Sequence, residues 1–412
     1  MSVKVLVIGY VWPEPKSSAA GSHMLSLLRL FKQQNWQVTF ATPAQKTEHM
    51  IDLSLEEIET AEIQLNDSSF DDWVSKLQPD IVMFDRFMME EQFGWRVEQA
   101  CPQALRILDT EDLQSLRNAR HKAIKQDLKF EISDLLSSDL AKREIAAIYR
   151  SDLSLIISDY EITLLQNHFQ ISDSHIHHLP FMLDLKKLDS DSPDFEQRNH
   201  FVTIGNFRHE PNWDGVLYLQ SIWPLIRKEL PETECHIYGS YPPKKATQLN
   251  NPKNGFLVKG WAEDVNEVMR NARVCLSPLR FGAGIKGKFI DAMQCGTPIV
   301  TTDIGAEGMT GDLPWPGLIA NDVESIARNA VELYQNKNLW NKSQQAIQPL
   351  LKDRYDGEKL GKELIAKISL LQNNLTQHRQ QNFIGAMLNH HTMKSTQYMS
   401  KWIEAKNKLE ND

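Results

Sequence analysis

The chain has 412 residues, which is enough for two or three domains. Its 41% of apolar and 24% of charged residues are ordinary for a folded protein and exclude a chain that is disordered throughout. A net charge of -9 argues against a nucleic-acid-binding protein, because such proteins normally carry a surplus of basic residues.

The cysteines and the apolar runs set further limits. The cysteines at positions 101, 235, 275 and 295 are too far apart for a CxxC motif, so we expect reduced thiols in the core. The first apolar run, residues 3–8, is too short for a signal sequence and has no basic segment before it. No stretch approaches ~18 uninterrupted apolar residues, the length of a membrane span. The sequence therefore predicts a cytoplasmic protein.

The first half alternates short β-branched runs with helical patterns. Strands are predicted at residues 3–8, 37–41, 80–84, 105–108, 153–157 and 176–179. Strands separated by helices indicate a parallel sheet with helices on both faces. The loop after the first strand carries Gly21 and Ser22, which either contact a ligand or cap the next helix.

An acidic cluster follows the predicted strand at residues 105–108. Asp109, Glu111 and Asp112 would lie at the carboxyl end of this strand, where a ligand would bind. Glu111 and Asp112 are our candidate catalytic residues, because positioned carboxyl groups serve as acids or bases. The alternative is that these residues cap a helix and stabilise its first turn. Glu307, which also follows a strand end, is a further candidate for the same cleft.

A polar stretch at residues 184–200 predicts a linker between residues 1–183 and 201–371, each a doubly wound domain. In the second domain, strands are predicted at residues 201–204, 235–238, 256–258, 274–277 and 298–301. Two such domains in tandem form a cleft that favours a ligand. Residues 372–412 predict a helical extension, in which Met387 and Trp402 are among the apolar residues at helical spacing. We expect it to pack on the protein's own surface.

The most informative segment is SPLRFGAGIKGKFIDAMQCG, residues 277–296. It combines a strand end, three glycines, two lysines and the start of a helix. Glycines let the backbone approach an anion, and a helix start presents free N–H groups to phosphate. The segment therefore predicts a cradle for a diphosphate. Its candidate donor-binding residues are Gly282, Gly284, Ile285, Lys286, Gly287, Lys288 and Asp291.

Residues 278–309 resemble the donor-site region of GT-B glycosyltransferases of the GT4-type, or group 1, family. The resemblance implies that Asp291 contacts the donor ribose. The family's other acidic position is Ala283 here, so the phosphate contacts would carry more of the affinity. It also implies that Arg208 reaches the donor phosphates, that Gly260 and Trp261 touch the base, and that Gly21 and Ser22 face donor and acceptor.

The resemblance implies a GT-B fold: two Rossmann-like domains face a cleft, with a C-terminal helical extension. It implies a retaining, metal-independent transfer from a nucleotide diphosphate sugar to a cell-surface polysaccharide, a lipid-linked glycan or a protein. Lys286 would be catalytic by stabilising the leaving diphosphate. No cofactor or nucleic acid is expected, and a peripheral membrane contact is a further expected partner. Although His175 and His177 have a spacing that metal ligands use, no other ligand completes a set.

Two alternatives remain open. A nucleotide-sugar epimerase on the same fold would use the acidic cluster around the sugar ring, and it would release epimerised nucleotide sugar without an acceptor. A GT-B-fold binding protein without turnover is favoured by Ala283, whereas the two lysines argue against it.

Overall fold

The computed structural model describes residues 2–187 and 192–411, so part of the predicted linker, residues 188–191, lies outside the described residues. The chain forms two parallel sheets, of seven and six strands. The first sheet contains β1 (Lys4–Ile8), β2 (Gln37–Thr42), β3 (Glu59–Glu62), β4 (Ile81–Asp85), β5 (Leu105–Asp109), β6 (Leu153–Ile156) and β7 (Ile176–His178). The second contains β8 (Asn199–Ile204), β9 (Cys235–Tyr238), β10 (Phe256–Gly260), β11 (Ala272–Leu276), β12 (Ile299–Thr301) and β13 (Gly317–Ile319).

The helices alternate with the strands and continue beyond them. They are α1 (Ala19–Gln33), α2 (Ser69–Leu77), α3 (Phe87–Ala100), α4 (Gln114–Lys125), α5 (Ile132–Leu136), α6 (Asp139–Arg150), α7 (Asp159–Phe169), α8 (Glu210–Glu229), α9 (Lys244–Thr247), α10 (Val265–Asn271), α11 (Gly287–Gln294), α12 (Asp303–Ala306), α13 (Val323–Gln335), α14 (Lys337–Arg354), α15 (Gly357–Asn373), α16 (Leu375–Gln381) and α17 (Phe383–Asn411). The predicted fold class, two doubly wound α/β domains with a helical extension, is confirmed.

The order of the strands fixes where a ligand can bind. The first sheet runs β3-β2-β1-β4-β5-β6-β7 and the second runs β10-β9-β8-β11-β12-β13. In both sheets the order reverses next to the first strand, between β1 and β4 and between β8 and β11. A crevice opens at such a reversal outside the carboxyl ends of the strands, and there doubly wound proteins bind their ligands.

The interior strands form because their apolar, β-branched residues are buried on both faces, as in β1, where Val5 to Ile8 are almost wholly buried. Two strands escaped prediction, β3 and β13, and both lie at a sheet edge. β3 has the sequence ETAE, whose side chains are mostly exposed. An edge strand is held mainly by backbone hydrogen bonds along one side, so its side chains need no apolar pattern.

The chain crosses between the domains twice, at two adjacent points. The backbone N–H of Leu183 donates to the carbonyl of Tyr355 at 2.9 Å, and the N–H of Gly357 donates to the carbonyl of Leu183 at 2.9 Å. After the second crossing, α15 packs on the first sheet, where Leu364 and Ile368 join a core that contains Val5 and Val7. The sequence had grouped residues 357–371 with the second domain. The apolar face of α15 places them with the first, while the exact domain boundaries stay predictions.

The helical extension continues along the first domain. α17 contacts α3 and α6, so the expectation that it packs on the protein's own surface holds for one of its faces. Over residues 2–187 and 192–411, none of the helices combines the length and the apolarity that crossing a bilayer requires.

Candidate functional site

A cleft of about 1380 Å³ lies between the two domains, outside the carboxyl ends of both sheets. Residues from both halves of the chain line it. The predicted site residues in its wall are Gly21, Ser22, Glu111, Asp112, Arg208, Trp261, Gly282, Gly284, Ile285, Lys286, Gly287, Lys288 and Asp291. Gly260 is not in this wall, because its carbonyl lies within the sheet and accepts a hydrogen bond from the N–H of Gly239 at 2.7 Å.

Two lysines stand at the start of α11, at the bottom of the cleft. Nζ of Lys286 donates to the carbonyl of Gly284 at 2.7 Å. Nζ of Lys288 donates to Oδ1 of Asn212 at 2.8 Å and to Oγ of Ser277 at 3.3 Å. Burial lowers the pKa of both lysines to about 8. A bound anion would favour the charged forms, and the two amino groups with the N-terminus of α11 offer the positive charge and free N–H groups that an anion site needs.

The start of α1, in the first domain, closely approaches the start of α11. A Cβ atom added to Gly287 would lie 2.2 Å from Cβ of Ala19, so only glycine allows this approach. The Oγ atom of Ser18 caps α1 by accepting from the N–H of Gly21 at 3.1 Å. Two helix N-termini, one from each domain, therefore meet at the cleft and reinforce the positive potential there.

The glycine and serine of the α1 loop have local roles as well. A Cβ atom on Gly21 would lie 2.5 Å from the carbonyl carbon of Glu14, so the fold itself requires glycine at this position. The hydroxyl of Ser22 donates to the carbonyl of Pro15 at 2.8 Å. Both residues line the cleft, yet their geometry is explained by packing.

Acidic residues of the first domain also stand at the cleft, with Arg86 and Arg117 among them. Asp85 and Asp109 are paired residues at the ends of β4 and β5, and Glu111 follows with a φ of 60°. Burial, followed by the charge of Asp85, raises the pKa of Asp109 to about 7. Burial, followed by the charge of Asp109, raises the pKa of Glu111 to about 8. One or more of these carboxyl groups therefore holds a proton near neutral pH.

Asp112 differs from its neighbours. Burial would raise its pKa, but the charge of Arg117, which forms a short ion pair with it, lowers the pKa overall. Glu111 and Asp112 thus stand side by side in different protonation states. A protonated carboxyl group beside an ionised one is a common arrangement for acid–base chemistry.

Direct bonds join the domains beside the cleft. Oε1 of the buried Glu161 accepts from the N–H of Leu113 at 3.0 Å and from the N–H of Gly284 at 2.8 Å. Arg120 donates to the carbonyl of Gly282 at 2.9 Å and to the carboxylate of Glu307 at 2.7 Å. The glycine loop is therefore held from the first domain.

Comparison with known proteins identifies the second domain. Residues 198–336 match the sequence family Glycosyl transferases group 1. The chain carries a group 1 glycosyltransferase domain. The predicted enzyme class, a glycosyltransferase, and the predicted group 1 family are confirmed for this domain, while the GT4 type stays a prediction.

Solved structures of low sequence identity show the same two-domain fold as this glycosyltransferase chain. A sucrose-phosphate synthase from Thermosynechococcus elongatus has a TM-score of 0.67 at 14% identity, covering 90% of this chain and 99% of that one. HepE from Anabaena, in complex with UDP and glucose, has a TM-score of 0.65 at 12% identity, covering 89% and 99%. WaaG, a glycosyltransferase involved in lipopolysaccharide biosynthesis, has a TM-score of 0.60 at 13% identity, covering 87% and 98%. The predicted GT-B fold is confirmed.

A sequence relative is similar over a shorter region. An uncharacterized 44.6 kDa protein in the cps region of Klebsiella pneumoniae is 28% identical over 167 residues. The alignment covers 39% of this chain and 42% of that protein, which is less than half of each.

The remaining predicted donor contacts, Arg208 and Trp261, lie where the two domains meet. Arg208 stacks on the ring of Tyr241, with 3.6 Å between the guanidinium carbon and the ring centroid. The Tyr241 hydroxyl donates to Oε1 of Glu14 at 3.0 Å. Trp261 stacks parallel to His49 of the first domain at a centroid distance of 4.2 Å. Both predicted donor residues therefore lie against aromatic groups at the domain junction.

Three sequence-based expectations need comment. Glu307 does not line the interdomain cleft, because it is drawn into a separate pocket by its ion pair with Arg120. Ala283 lines the cleft and is partly buried against the apolar core of the first domain, so no carboxylate stands at this position of the loop. His175 contacts His378 with ring centroids 4.9 Å apart, and across the described part of the chain no group of three or more His, Cys, Asp or Glu residues could hold a metal ion.

Sequence reasoning missed three cleft or junction residues. Arg86, which lines the cleft and has a φ of 69°, follows a predicted strand, so the strand-end rule could have found it. His23 is buried on α1, with Nε2 at 3.8 Å from Oδ1 of Asp109. In the sequence, the position of His23 on its helix looks like that of an ordinary core residue. The third residue, Glu161, has no feature in the sequence that marks it as functional.

Proposed function

We propose that this protein transfers a sugar from a nucleotide diphosphate sugar to an acceptor, with the donor held by the second domain. One observation carries the proposal: the N-terminus of α11, with Lys286 and Lys288, forms an anion site inside the domain that matches the glycosyltransferase family. A diphosphate is the anion that such donors bring.

The same site supports the chemistry. As the glycosidic bond breaks, the leaving diphosphate gains negative charge. Preorganised cations in a cleft stabilise this charge more in the transition state than in the ground state. In this proposal Lys286, Lys288 and the helix N-terminus take the place of a divalent metal, and no cofactor takes part. Asp291, whose pKa burial raises to about 7, lies one turn into α11 and is proposed to contact the ribose.

The first domain is the proposed acceptor side. Ionised Asp112 and proton-holding Glu111 line the cleft, and Asp112 lies against the glycine loop at Gly284. We assign Glu111 and Asp112 to binding sugar hydroxyls and to moving the acceptor's proton. Retention at the anomeric carbon is the proposed outcome, by family resemblance. The acceptor is proposed to be a cell-surface polysaccharide, a lipid-linked glycan or a protein.

A second candidate is a nucleotide-sugar epimerase. The pair Asp109 and Glu111, whose pKa values are about 7 and about 8, favours it because epimerisation requires groups that both give and take a proton. Incubation of the enzyme with a nucleotide sugar alone separates the two candidates. An epimerised donor would support the second, whereas transfer that depends on an acceptor supports the first.

The test is a melting-temperature screen of nucleoside diphosphates and their sugars, beginning with UDP and UDP-glucose. A ligand at 100 times its Kd stabilises a protein by about 2.7 kcal/mol, which the screen detects easily. Transfer by the responding donor is then measured in excess EDTA, where we expect activity to persist. Activity that is lost in EDTA and restored by Mg²⁺ or Mn²⁺ would contradict the metal-free mechanism. A screen with no responding nucleotide would contradict the donor site.

A further inference from the structure

Helix α17 presents two different faces. One face is anchored to the first domain: Nη2 of Arg96 donates to Oγ of the buried Ser400 at 3.1 Å and lies 3.8 Å from Oε2 of Glu404. The other face carries large apolar side chains that remain exposed. Tyr398 is 67% exposed and Trp402 is 63% exposed. Six exposed apolar residues share this face, and Met399, also exposed, lies beside it: the six are Phe383, Ile384, Met387, Tyr398, Trp402 and Leu409.

These residues form a stripe along one helix face, in two groups: Phe383, Ile384 and Met387, and then Tyr398, Trp402 and Leu409. At about 100° per residue, the six residues fall within an arc of about 100°, the width of one helix face. Ser400 lies on the opposite side of the helix, so anchoring the helix to the first domain leaves these six side chains uncovered. Isolated exposed apolar residues are normal on a protein surface, but two groups of large apolar residues on one face mark an interaction site.

A row of lysines borders the stripe. Lys394, Lys401 and Lys408 recur every seven residues, which places them on one side of it. Lys394 and Lys401 are exposed on the same side of the helix as the stripe. Nζ of Lys408 lies 3.0 Å from Oε1 of Glu404. Helices that lie in the plane of a membrane interface typically combine tyrosine and tryptophan with lysine.

We propose that this face of α17 docks on an anionic lipid surface. Tyr398, Trp402 and their apolar neighbours enter the interfacial region, while the lysine row lies among negatively charged headgroups. The docking is parallel to the surface, consistent with the finding that no helix in residues 2–187 or 192–411 could cross a bilayer.

Charge argues against an antiparallel pair of copies at this face. If two copies paired through their stripes in an antiparallel arrangement, the lysine rows would face each other and repel. Glu404, the acidic residue of α17 whose side chain the structure describes, lies toward the first domain, beside Arg96. It is not on the stripe, so it cannot offset this repulsion. An anionic surface is complementary to the whole face.

The inference stands on an observation separate from the donor site. α17 packs on α3, and α3 begins directly after Arg86 in the wall of the cleft. Docking would therefore hold the first domain, the proposed acceptor side, close to the surface. Donor binding does not depend on the stripe, so either proposal can fail alone.

The test is cosedimentation of the full chain with phosphatidylcholine vesicles and with vesicles containing phosphatidylglycerol. We expect binding that requires the anionic lipid and weakens as salt is raised. The double variant Tyr398→Ser/Trp402→Ser should lower the partition coefficient at least about tenfold, because it removes most of the inserted aromatic surface. The double variant Lys394→Gln/Lys401→Gln should lower it by about fivefold per lysine on anionic vesicles.

The matched control is Leu55→Ser/Leu370→Ser, which removes two exposed leucines away from the stripe and should bind as the parent does. Melting curves and nucleoside diphosphate affinity should be the same for all variants. A parent that does not bind vesicles, or a Tyr398→Ser/Trp402→Ser variant that binds as well as the parent, would overturn the proposal. Sedimentation equilibrium showing a dimer that this variant abolishes would also overturn it, in favour of self-association.

Discussion

The two walls of the cleft are built by the same topology and place different charged groups after their strands. In the first domain, Asp85 at the end of β4 and Glu111 just after β5 line the cleft, together with Arg86, while Asp109 is buried. In the second, the loop after β11 presents Lys286 and Lys288. A parallel sheet determines where a ligand binds, while the residues that follow its strands determine the chemistry.

Burial acts on the two walls in opposite directions. It raises the pKa of Glu111 to about 8 and lowers the pKa of Lys288 to about 8, because the charged form of each group loses water. Both walls can therefore change protonation near neutral pH. Under the proposed function, Glu111 of the first domain transfers a proton, and the two lysines of the second domain stabilise the charge of the leaving group. Each role can be tested separately.

The largest effect should come from the wall of the first domain. Glu111→Gln removes a group that can give or take a proton, so we expect kcat to fall by about 10²- to 10⁴-fold. Affinity for the nucleoside diphosphate should change little, because the proposed phosphate site is the lysine loop of the second domain. Glu263→Gln, which alters an exposed carboxylate in the cleft wall, is the matched control. Equal transfer rates for Glu111→Gln and the parent would remove Glu111 from the mechanism.

The wall of the second domain should show the converse pattern. Lys288→Ala loses a charge-assisted hydrogen bond of about 1.5–3 kcal/mol, so nucleoside diphosphate binding should weaken by roughly 10- to 150-fold in calorimetry. Lys286→Ala should weaken it as well, and should also loosen the loop that its bond to Gly284 supports. Lys253→Ala, an exposed lysine distant from the cleft wall, serves as control. If both cleft variants bind as tightly as the parent, the donor site must be abandoned.

The junction between the walls can be altered without changing any charge. Gly287→Ala would place a methyl group 2.2 Å from Cβ of Ala19, which should cost about 1–3 kcal/mol of stability or force the domains apart. Gly282→Ala is the matched control, since its new methyl group would have Lys286 Cε as nearest neighbour at 3.6 Å. Melting curves and the radius of gyration from X-ray scattering measure the outcome. Two variants that behave alike would show that the α1–α11 approach is not required.

A further effect concerns pH. Burial, followed by the charge of Asp112, raises the pKa of Glu161 to about 8 from an ordinary value of 4.5. Since the folded chain holds this proton more tightly than the unfolded chain, the resulting stability is full below about pH 4.5 and is lost as the pH rises towards 8. The loss is about 1.4 kcal/mol per pH unit within that window.

Glu161→Gln keeps the amide oxygen as acceptor but cannot titrate. As the pH rises from 5 to 8, the melting temperature of the parent should therefore fall relative to that of this variant. Glu229→Gln, at an exposed position on α8, should follow the parent. A constant difference between Glu161→Gln and the parent across this pH range would refute the assignment.

The sequence predicted the interior of the molecule better than its edges. Interior strands such as β1 and β5 are apolar on both faces and leave a clear pattern, while the edge strands β3 and β13 leave little. The lysine loop was found because glycine, lysine and a helix start are all local. Contacts between distant segments, such as Glu161 with Gly284 and His23 with Asp109, depend on the relative placement of elements that the sequence alone does not give.

The second crossing of the chain has a consequence for synthesis. Leu360, Leu364 and Ile368 on α15 complete the core around Val5 and Val7. During synthesis these residues are made after the whole second sheet. Until then, part of the apolar core of the first domain stays uncovered. The second domain, whose strands and helices lie between the two crossings, can close its own core earlier. We therefore expect the later-made domain to reach its native state first, which reverses the usual order of folding from the N-terminus.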